Sequence, residues 1–314
     1  MGVSMQLSDR IGRRMKLQDL HVLVTVMQAG SMGKAAQSLN ISQPAVSRSI
    51  AELEHALGVR LLDRHRKGIE ATEYGRALLD CGVAVFDDLR QGVKNIEFLA
   101  DPTTGQVRIG NTLTSANSFI TAVIDRLSRR YPGIVFHVVP AGADILNREL
   151  NARSLDLVVT RSGGPFTEEQ FGFETLYDDA LVVLAGMKNP WARRRRIELA
   201  ELVNEPWALP TLESAVTQAA IKAFRASGLD CPRATLVTSS PEMRIDLVAT
   251  GRFLTITASR FRVRRPQLKV LPVELPMAHM PVGIVTLKNR RLSPVAKLFI
   301  QHTHEVAKAL TKRN

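Results

Sequence analysis

Apolar residues recur every three or four positions through residues 17–57, in three runs separated by short turns. This spacing predicts three amphipathic helices over residues 17–28, 32–39 and 43–57. Gly30 and Gly58 suit the left-handed position that follows a helix, so they should end the first and third helices. Ser31 and Ser42 precede the second and third helices, where a hydroxyl can accept hydrogen bonds from free backbone N–H groups.

The third helix has an apolar face and a polar face. Its apolar stripe consists of Val46, Ile50, Leu53 and Leu57. The polar side of its first turns carries short hydrogen-bonding side chains and one guanidinium, with no acidic residue before Glu52. An ordinary surface helix is the alternative, but two helices around a three-residue turn favour a helix-turn-helix that reads base edges in the ~12 Å wide major groove. The predicted DNA-binding residues here are Ser31, Ser42, Gln43, Ala45, Ser47 and Arg48.

A strand, a basic hairpin tip and a second strand are predicted over residues 59–64, 65–68 and 69–72. Arg64, Arg66 and Lys67 lie at or beside this tip. Three positive charges in a loop are usually only solvated. Beside a helix-turn-helix, however, they are suited to phosphates or to the narrow minor groove. We therefore predict that this wing also contacts DNA through these three residues.

A long helix is predicted over residues 73–99, with Thr72 as its cap. Its apolar residues recur at gaps of three and four, and Gly82 fills one position of the pattern. A seam of this kind is typical of a coiled coil, in this case a rod of roughly 40 Å. Packing within its own domain is the alternative, and the charged exterior favours a partner helix. The predicted dimerisation residues are Leu79, Phe86, Leu89, Val93 and Ile96.

Strands and helices alternate after the polar breaker at residues 101–105. Such alternation predicts parallel sheets covered by helices, here in two α/β lobes. Ligands of open α/β sheets bind beyond the carboxyl ends of strands, near helix N-termini, although polar residues there can be caps only. The predicted effector-binding residues at such places are Thr112, Thr114, Ser115, Arg161, Thr211 and Ser239.

The first 75 residues also resemble a known family. The runs AAQSLNISQPAVSRSI at residues 35–50 and LEHALGVRLLDR at residues 53–64 resemble the N-terminal signature of LysR-type transcriptional regulators. Met32 stands where that family commonly has Phe. The family's usual start aligns near Met15 or Lys16, so residues 1–14 are an extension or reflect a mis-set start codon.

The resemblance implies a dimeric, ligand-responsive transcriptional regulator. The family's effector part is similar to periplasmic solute-binding proteins, and it binds a small molecule between its lobes. The expected partners are double-stranded DNA with a dyad-symmetric operator, the small-molecule effector, RNA polymerase and further copies of the chain, as a homodimer or a homotetramer. The resemblance leaves open which effector binds and whether transcription is activated or repressed.

The expected fold is α+β and multidomain. It comprises a winged helix-turn-helix, a long coiled-coil linker helix and a two-lobed α/β effector domain. The predicted divisions are an N-terminal extension at 1–14, the DNA-binding domain at 15–74, the dimerisation helix at 75–102 and the effector-binding domain at 103–314. Within the last, lobe one comprises 103–179 and 283–314, and lobe two comprises 180–282.

Composition changes this interpretation little. The net charge of +12 suggests an anionic partner, but residues 101–314 hold most of the excess, 29 Lys and Arg against 19 Asp and Glu. That part fits a solvated surface. The two cysteines lack metal-site spacing, no export signal or membrane span is recognisable, and catalytic motifs are missing. We therefore expect a cytoplasmic protein that is neither an enzyme nor dependent on a cofactor or metal.

Two other function classes remain open at this stage. An architectural DNA binder that ignores small molecules would use the same helix-turn-helix. A solute-binding protein would explain residues 103–314, but it requires an export signal and leaves the helix-turn-helix without a role. A metabolite that changes the DNA footprint without abolishing binding would separate the ligand-responsive regulator from both.

Overall fold

The computed structural model describes residues 15–65, 68–112, 117–259, 266–276 and 279–311. The chain divides into two compact units, Met1–Val93 and Lys94–Asn314. The predicted N-terminal extension at 1–14 lies outside the described residues.

The helix-turn-helix and the wing belong to the first unit. Its elements are α1 Leu17–Ala29, α2 Met32–Leu39, α3 Gln43–Leu57, β1 Leu62–His65, β2 Gly68–Ala71 and the start of α4 Glu73–Ala100. The predicted bounds of the second and third helices are confirmed to the residue. Gly30 and Gly58 end α1 and α3 with φ of 70° and 75°, the left-handed conformation in which glycine avoids a Cβ penalty.

One apolar core holds α1, α2 and α3 together. Leu23, Val26, Val46 and Leu53 are fully buried in it, and Ile50 is almost so. These residues lie three, four or seven positions apart on their helices, which is the spacing that turns one helix face toward a core. The burial fixes which side of α3 faces outward.

The second unit alternates strands and helices, as predicted. Its strands are β3 Thr104–Thr112, β4 Gly133–Ala141, β5 Leu157–Arg161, β6 Phe171–Gly186, β7 Trp207–Leu209, β8 Ala234–Val237, β9 Leu254–Ala258, β10 Leu268–Val270 and β11 His279–Leu287. Its helices, apart from two short 3-10 turns, are α5 Asn117–Arg130, α6 Ala143–Asn151, α7 Ala215–Ala226, α8 Pro241–Ala249 and α9 Pro294–Thr311.

The prediction of parallel sheets is correct for the pairs of β3 and β7 and wrong for the strands β6 and β11, which cross between the lobes. The strands of the described residues join in the order β4-β3-β5-β11-β6-β9-β7-β8, with β10 paired to β6. β3 is parallel to β4 and β5, and β7 is parallel to β8 and β9. β6 and β11 run antiparallel to each other. β6 is also antiparallel to β9, and β11 to β5. The chain leaves one lobe along β6 and returns along β11. Two passes in opposite directions make an antiparallel pair.

Each lobe is built around its own core, and the crossing strands contribute to both. Tyr177 of β6 and Val282 of β11 lie in the first core, with α5, α9 and the strands β3 and β5. Leu181 of β6 and Met280 of β11 lie in the second core, with α7 and the strands β7 and β9. Because Tyr177 and Leu181 are four positions apart, β6 passes from the first core to the second within that distance.

Candidate DNA-binding and effector sites

Two side-chain caps set the beginning of α2 and α3. The Ser31 hydroxyl accepts a hydrogen bond from the backbone N–H of Lys34 at 3.1 Å. The Ser42 hydroxyl accepts one from the N–H of Ala45 at 3.3 Å. Between the helices Asn40 adopts a φ of 52°, a left-handed turn that Asn tolerates better than most residues. Local chemistry therefore fixes the turn that orients α3.

The first turns of α3 present a polar surface. Gln43 and Arg48 are exposed, as is Ser42, whereas Ala45 and Ser47 are half-buried. Val46, one position before Ser47, is fully buried, so the helix cannot rotate this polar face inward without exposing its core. A guanidinium and an amide on one exposed face match the donors and acceptors of base edges in the major groove.

The wing is an antiparallel hairpin joined to the end of α3. The strands pair in the register Leu62 with Ala71 and His65 with Gly68. The Glu54 carboxylate accepts hydrogen bonds from the backbone N–H groups of Leu61 at 2.8 Å and Leu62 at 3.3 Å. An acidic side chain thus holds the wing beside the recognition helix. Of the predicted contacts here, Arg66, Lys67 and the side chain of Arg64 lie outside the described residues.

The first part of α4 packs on its own domain through two positions of the predicted seam, Gly82 and Phe86. The Thr72 hydroxyl caps α4 by accepting from the N–H of Gly75 at 3.0 Å. A Cβ on Gly82 would lie 2.9 Å from a Val24 methyl, and the ring of Phe86 is 5.2 Å from that of His21. Both positions therefore contact α1 of the same chain. The two helices approach so closely at Gly82 that a larger residue would overlap Val24.

The remaining seam residues differ in exposure. Leu79 is half-buried, whereas Leu89, Val93 and Ile96 are exposed to 51%, 55% and 68%. Leu99, which the predicted seam omitted, is 81% exposed. Large apolar side chains exposed at gaps of three and four along one helix form a surface suited to a protein partner.

The carboxyl ends of strands from both lobes converge on Asp179. Arg161 ends β5 in lobe one, and its guanidinium forms an ion pair with the Asp179 carboxylate at 3.3 Å. Ser259 follows β9 in lobe two, and its hydroxyl donates to the same carboxylate at 2.9 Å. The two charged side chains are 2% and 1% exposed. The carboxyl ends of β5 in lobe one and β9 in lobe two therefore meet here, and such strand ends are where open α/β sheets bind ligands.

The structure places Thr112, Thr211 and Ser239 at or just after strand ends, with different surroundings. The hydroxyl of Thr112, at the end of β3, is 3.3 Å from that of Thr160. Thr211 is half-buried after β7, and Ser239 is exposed after β8. The helix cap that follows is Ser240, which accepts from the N–H of Met243 at 3.2 Å.

The remaining predicted effector residues are Thr114, Ser115 and Arg161. Thr114 and Ser115 lie outside the described residues. Arg161 is described, and its charge is balanced by Asp179.

Sequence reasoning missed three residues of this region, namely Asp179, Ser259 and Arg244. Arg244 of α8 is 2% exposed, among the most deeply buried side chains of the described residues. A signal for it existed, since it shares one helix face with the buried Pro241, Ile245 and Val248, where an apolar residue is expected. Asp179 gave no such signal because its partners come from other strands, Arg161 from the end of β5 and Ser259 from the end of β9.

The described residues show neither a membrane helix nor a metal site. None of the helices in the described part has both the length and the apolar character needed to cross a membrane. No cluster of three His, Cys, Asp or Glu side chains in that part is arranged to hold a metal ion.

Family models match both parts of the chain. A model described as bacterial regulatory helix-turn-helix protein, lysR family, matches residues 17–76, and one described as LysR substrate binding domain matches residues 100–308. The regulator GbpR of Azospirillum brasilense is 28% identical over 288 residues, covering 90% of this chain and 84% of that protein. PcaQ of Agrobacterium fabrum is 27% identical over 300 residues, covering 95% and 96%.

Solved structures share the predicted architecture. A full-length OxyR variant from Pseudomonas aeruginosa superposes with a TM-score of 0.67 at 21% identity, covering 94% of this chain and 98% of that one. Full-length CbnR complexed with its target DNA superposes with a TM-score of 0.55 at 20% identity, covering 93% and 100%. These similarities confirm the fold class, a helix-turn-helix domain followed by a two-lobed α/β part.

Proposed function

The chain belongs to the LysR family of bacterial transcriptional regulators, and from this premise we propose that a small molecule bound between its two lobes controls how a pair of its helix-turn-helix domains engages DNA. It is a DNA-binding regulator, like its relatives, rather than an enzyme. Its place of action is the cytoplasm, and RNA polymerase is its partner at the promoter.

The junction at Asp179 carries the effector part of this proposal. Arg161 from lobe one and Ser259 from lobe two bind the same carboxylate, so a change in the angle between the lobes must alter this network. A ligand that contacts Thr112 on one side and Thr211 or Ser239 on the other favours one angle over another. Differential binding to two arrangements is what shifts their populations.

The DNA part of the proposal assigns roles by position on α3 and the wing. Gln43, Ser47 and Arg48 contact base edges, with Ala45 lying against the groove. Ser31 and Ser42 stand at helix N-termini, where backbone N–H groups and hydroxyls bind phosphate oxygens. The wing residues Arg64, Arg66 and Lys67 contact the phosphate backbone, which positions the domain without reading sequence.

Pairing of two chains follows from the exposed apolar stripe of α4. We assign the coiled-coil contact to Leu89, Val93 and Ile96, with Leu79 at its start and Phe86 shared with α1. Two heads held by one rod read two half-sites, so the operator has dyad symmetry. Association of two such dimers gives a homotetramer.

A DNase I footprint of the full-length protein on its operator tests the effector role. The operator comes from selection of bound fragments out of random DNA, and the probes are sugars, amino acids and organic acids. We expect at least one compound to change the footprint's length or its hypersensitive bands while DNA stays bound. An unchanged footprint across the whole panel would favour the architectural DNA binder instead.

A further inference from the structure

Arg244 is a buried cation for which the described residues supply no ion-pair partner. It lies on α8, is 2% exposed and makes neither a hydrogen bond nor an ion pair through its side chain within the described part of the chain. Its Nε atom is enclosed and unbonded. Two acidic residues of α8 lie two positions from Arg244, namely Glu242 and Asp246, and the Glu242 carboxylate accepts from the Ser240 hydroxyl at 3.3 Å. Glu242 acts on Arg244 electrostatically, but the described residues place no carboxylate within ion-pair distance of its guanidinium.

The position of Arg244 directs its side chain toward the carboxyl edge of lobe two. α8 begins after β8, where the N–H of Thr238 donates to the carbonyl of Leu209 at the end of β7. The buried face of α8, which includes Arg244, is turned toward the sheet. Helical side chains lean toward the helix N-terminus. From this rule we expect the guanidinium to extend from the first turns of α8 toward the carboxyl edge of lobe two.

An unbalanced buried guanidinium is unfavourable for the protein alone. Removing a charge from water carries a large penalty unless an opposite charge or hydrogen bonds replace the water. Burial lowers the pKa of Arg244 to about 10, and Glu242 opposes this effect only in part. The group nevertheless remains positive at neutral pH. An anion at this place would supply the missing partner, and the N-terminus of α8 adds a favourable dipole.

We propose that Arg244 binds the carboxylate of the effector, which is therefore a small organic acid. This inference rests on the proposed function, because it places the acid between the lobes. It also separates the roles of two arginines: Arg161 is balanced by Asp179 at the lobe junction, whereas Arg244 recognises the ligand. A planar guanidinium can bind both carboxylate oxygens at once, which a lysine cannot reproduce.

Thermal unfolding of the full-length protein with matched ligand pairs tests the proposal. The probes are acetate, benzoate, phenylacetate, succinate, malate and gluconate, each compared with its neutral amide at equal ionic strength. We expect at least one acid to raise the Tm where its amide does not. Arg244→Met should weaken the binding of that acid by roughly 10- to 100-fold, as expected for the loss of a charged hydrogen-bonding partner.

Two further variants keep the result interpretable. Arg252→Met removes an exposed arginine of the same lobe, so it should leave the affinity for the acid unchanged. Arg244→Lys keeps the charge and is used in place of Arg244→Met if the latter does not fold. It should also weaken the binding of the acid. Without ligand, Arg244→Met should melt at or above the wild-type Tm, because an unbalanced charge has been removed.

The outcomes distinguish this inference from the proposed function. If no acid stabilises the protein more than its amide, or if Arg244→Met binds the acid as tightly as wild type, the inference is overturned. A neutral ligand that moves the footprint equally in wild type and Arg244→Met overturns the inference but leaves the proposed function intact. An acid that requires Arg244 but leaves the footprint unchanged supports the inference and contradicts the proposed function.

Discussion

Replacing Asp179 with asparagine should strongly destabilise the C-terminal unit. Asn keeps the shape of the side chain and can still accept from Ser259, so the substitution removes mainly the charge that balances Arg161. Breaking a buried ion pair by removing one partner costs about 3–5 kcal/mol, because the other charge stays buried. For a unit of this size, that loss corresponds to a fall in Tm of roughly 6–20 °C.

Tryptophan fluorescence during urea unfolding measures this effect selectively. The chain has two tryptophans, Trp191 and Trp207, and Trp207 is fully buried in the core of lobe two. The matched control is Asp178→Asn, which breaks an exposed pair with His279 at 2.7 Å and should change the free energy of unfolding by less than about 0.5 kcal/mol.

A double variant separates charge balance from packing. Combining Asp179→Leu with Arg161→Met removes both charges and should recover most of the stability that Asp179→Asn loses. If Asp179→Asn unfolds within about 1 kcal/mol of Asp178→Asn, the ion pair contributes far less than its burial implies. The reasoning about the lobe junction would then be wrong.

Three further predictions concern the α1–α4 contact, the dimer and the pH dependence. Gly82→Leu should destabilise the N-terminal unit by about 1–3 kcal/mol through overlap with Val24, whereas Gly92→Ala, in open space on the same helix, should stabilise it by up to about 1 kcal/mol in chemical unfolding. Leu89→Asp should yield monomers in light scattering; persistent dimers would refute the apolar stripe as the contact. Burial lowers the pKa of His302 below 6.5, so the folded state takes up its proton less readily than the unfolded chain does. The Tm should therefore be highest above pH 6.5 and fall as the pH drops below it, and His302→Gln should flatten that fall.

The sequence was sufficient for elements that local rules determine. The bounds of α2 and α3 follow from serine caps, a left-handed Asn40 and a terminal Gly58, each of which acts on its nearest neighbours. The outward face of α3 follows from the helical period of its apolar residues. The candidate DNA-reading residues could thus be named from the sequence alone.

Features that depend on distant contacts could not be predicted in this way. Gly82 fits the heptad pattern of α4, but only the crossing of α1 shows which neighbour it faces. Charged residues within β6 interrupt its apolar pattern, so the sequence does not show that one strand spans Phe171–Gly186. Its pairing partner β11 lies about a hundred residues later in the chain. The ion pair of Arg161 with Asp179 likewise depends on how β5 and β6 are placed on either side of β11.

Competition binding with Arg48→Ala tests the central claim most directly, namely that the exposed face of α3 reads the operator. The measurement compares Kd for the selected operator and for random DNA, at one fixed salt concentration, with Lys67→Ala as the backbone-contact control. The account predicts that Arg48→Ala loses about 1–3 kcal/mol of discrimination between the two DNAs, whereas Lys67→Ala weakens both alike. Unchanged operator preference in Arg48→Ala would contradict the assignment of this face.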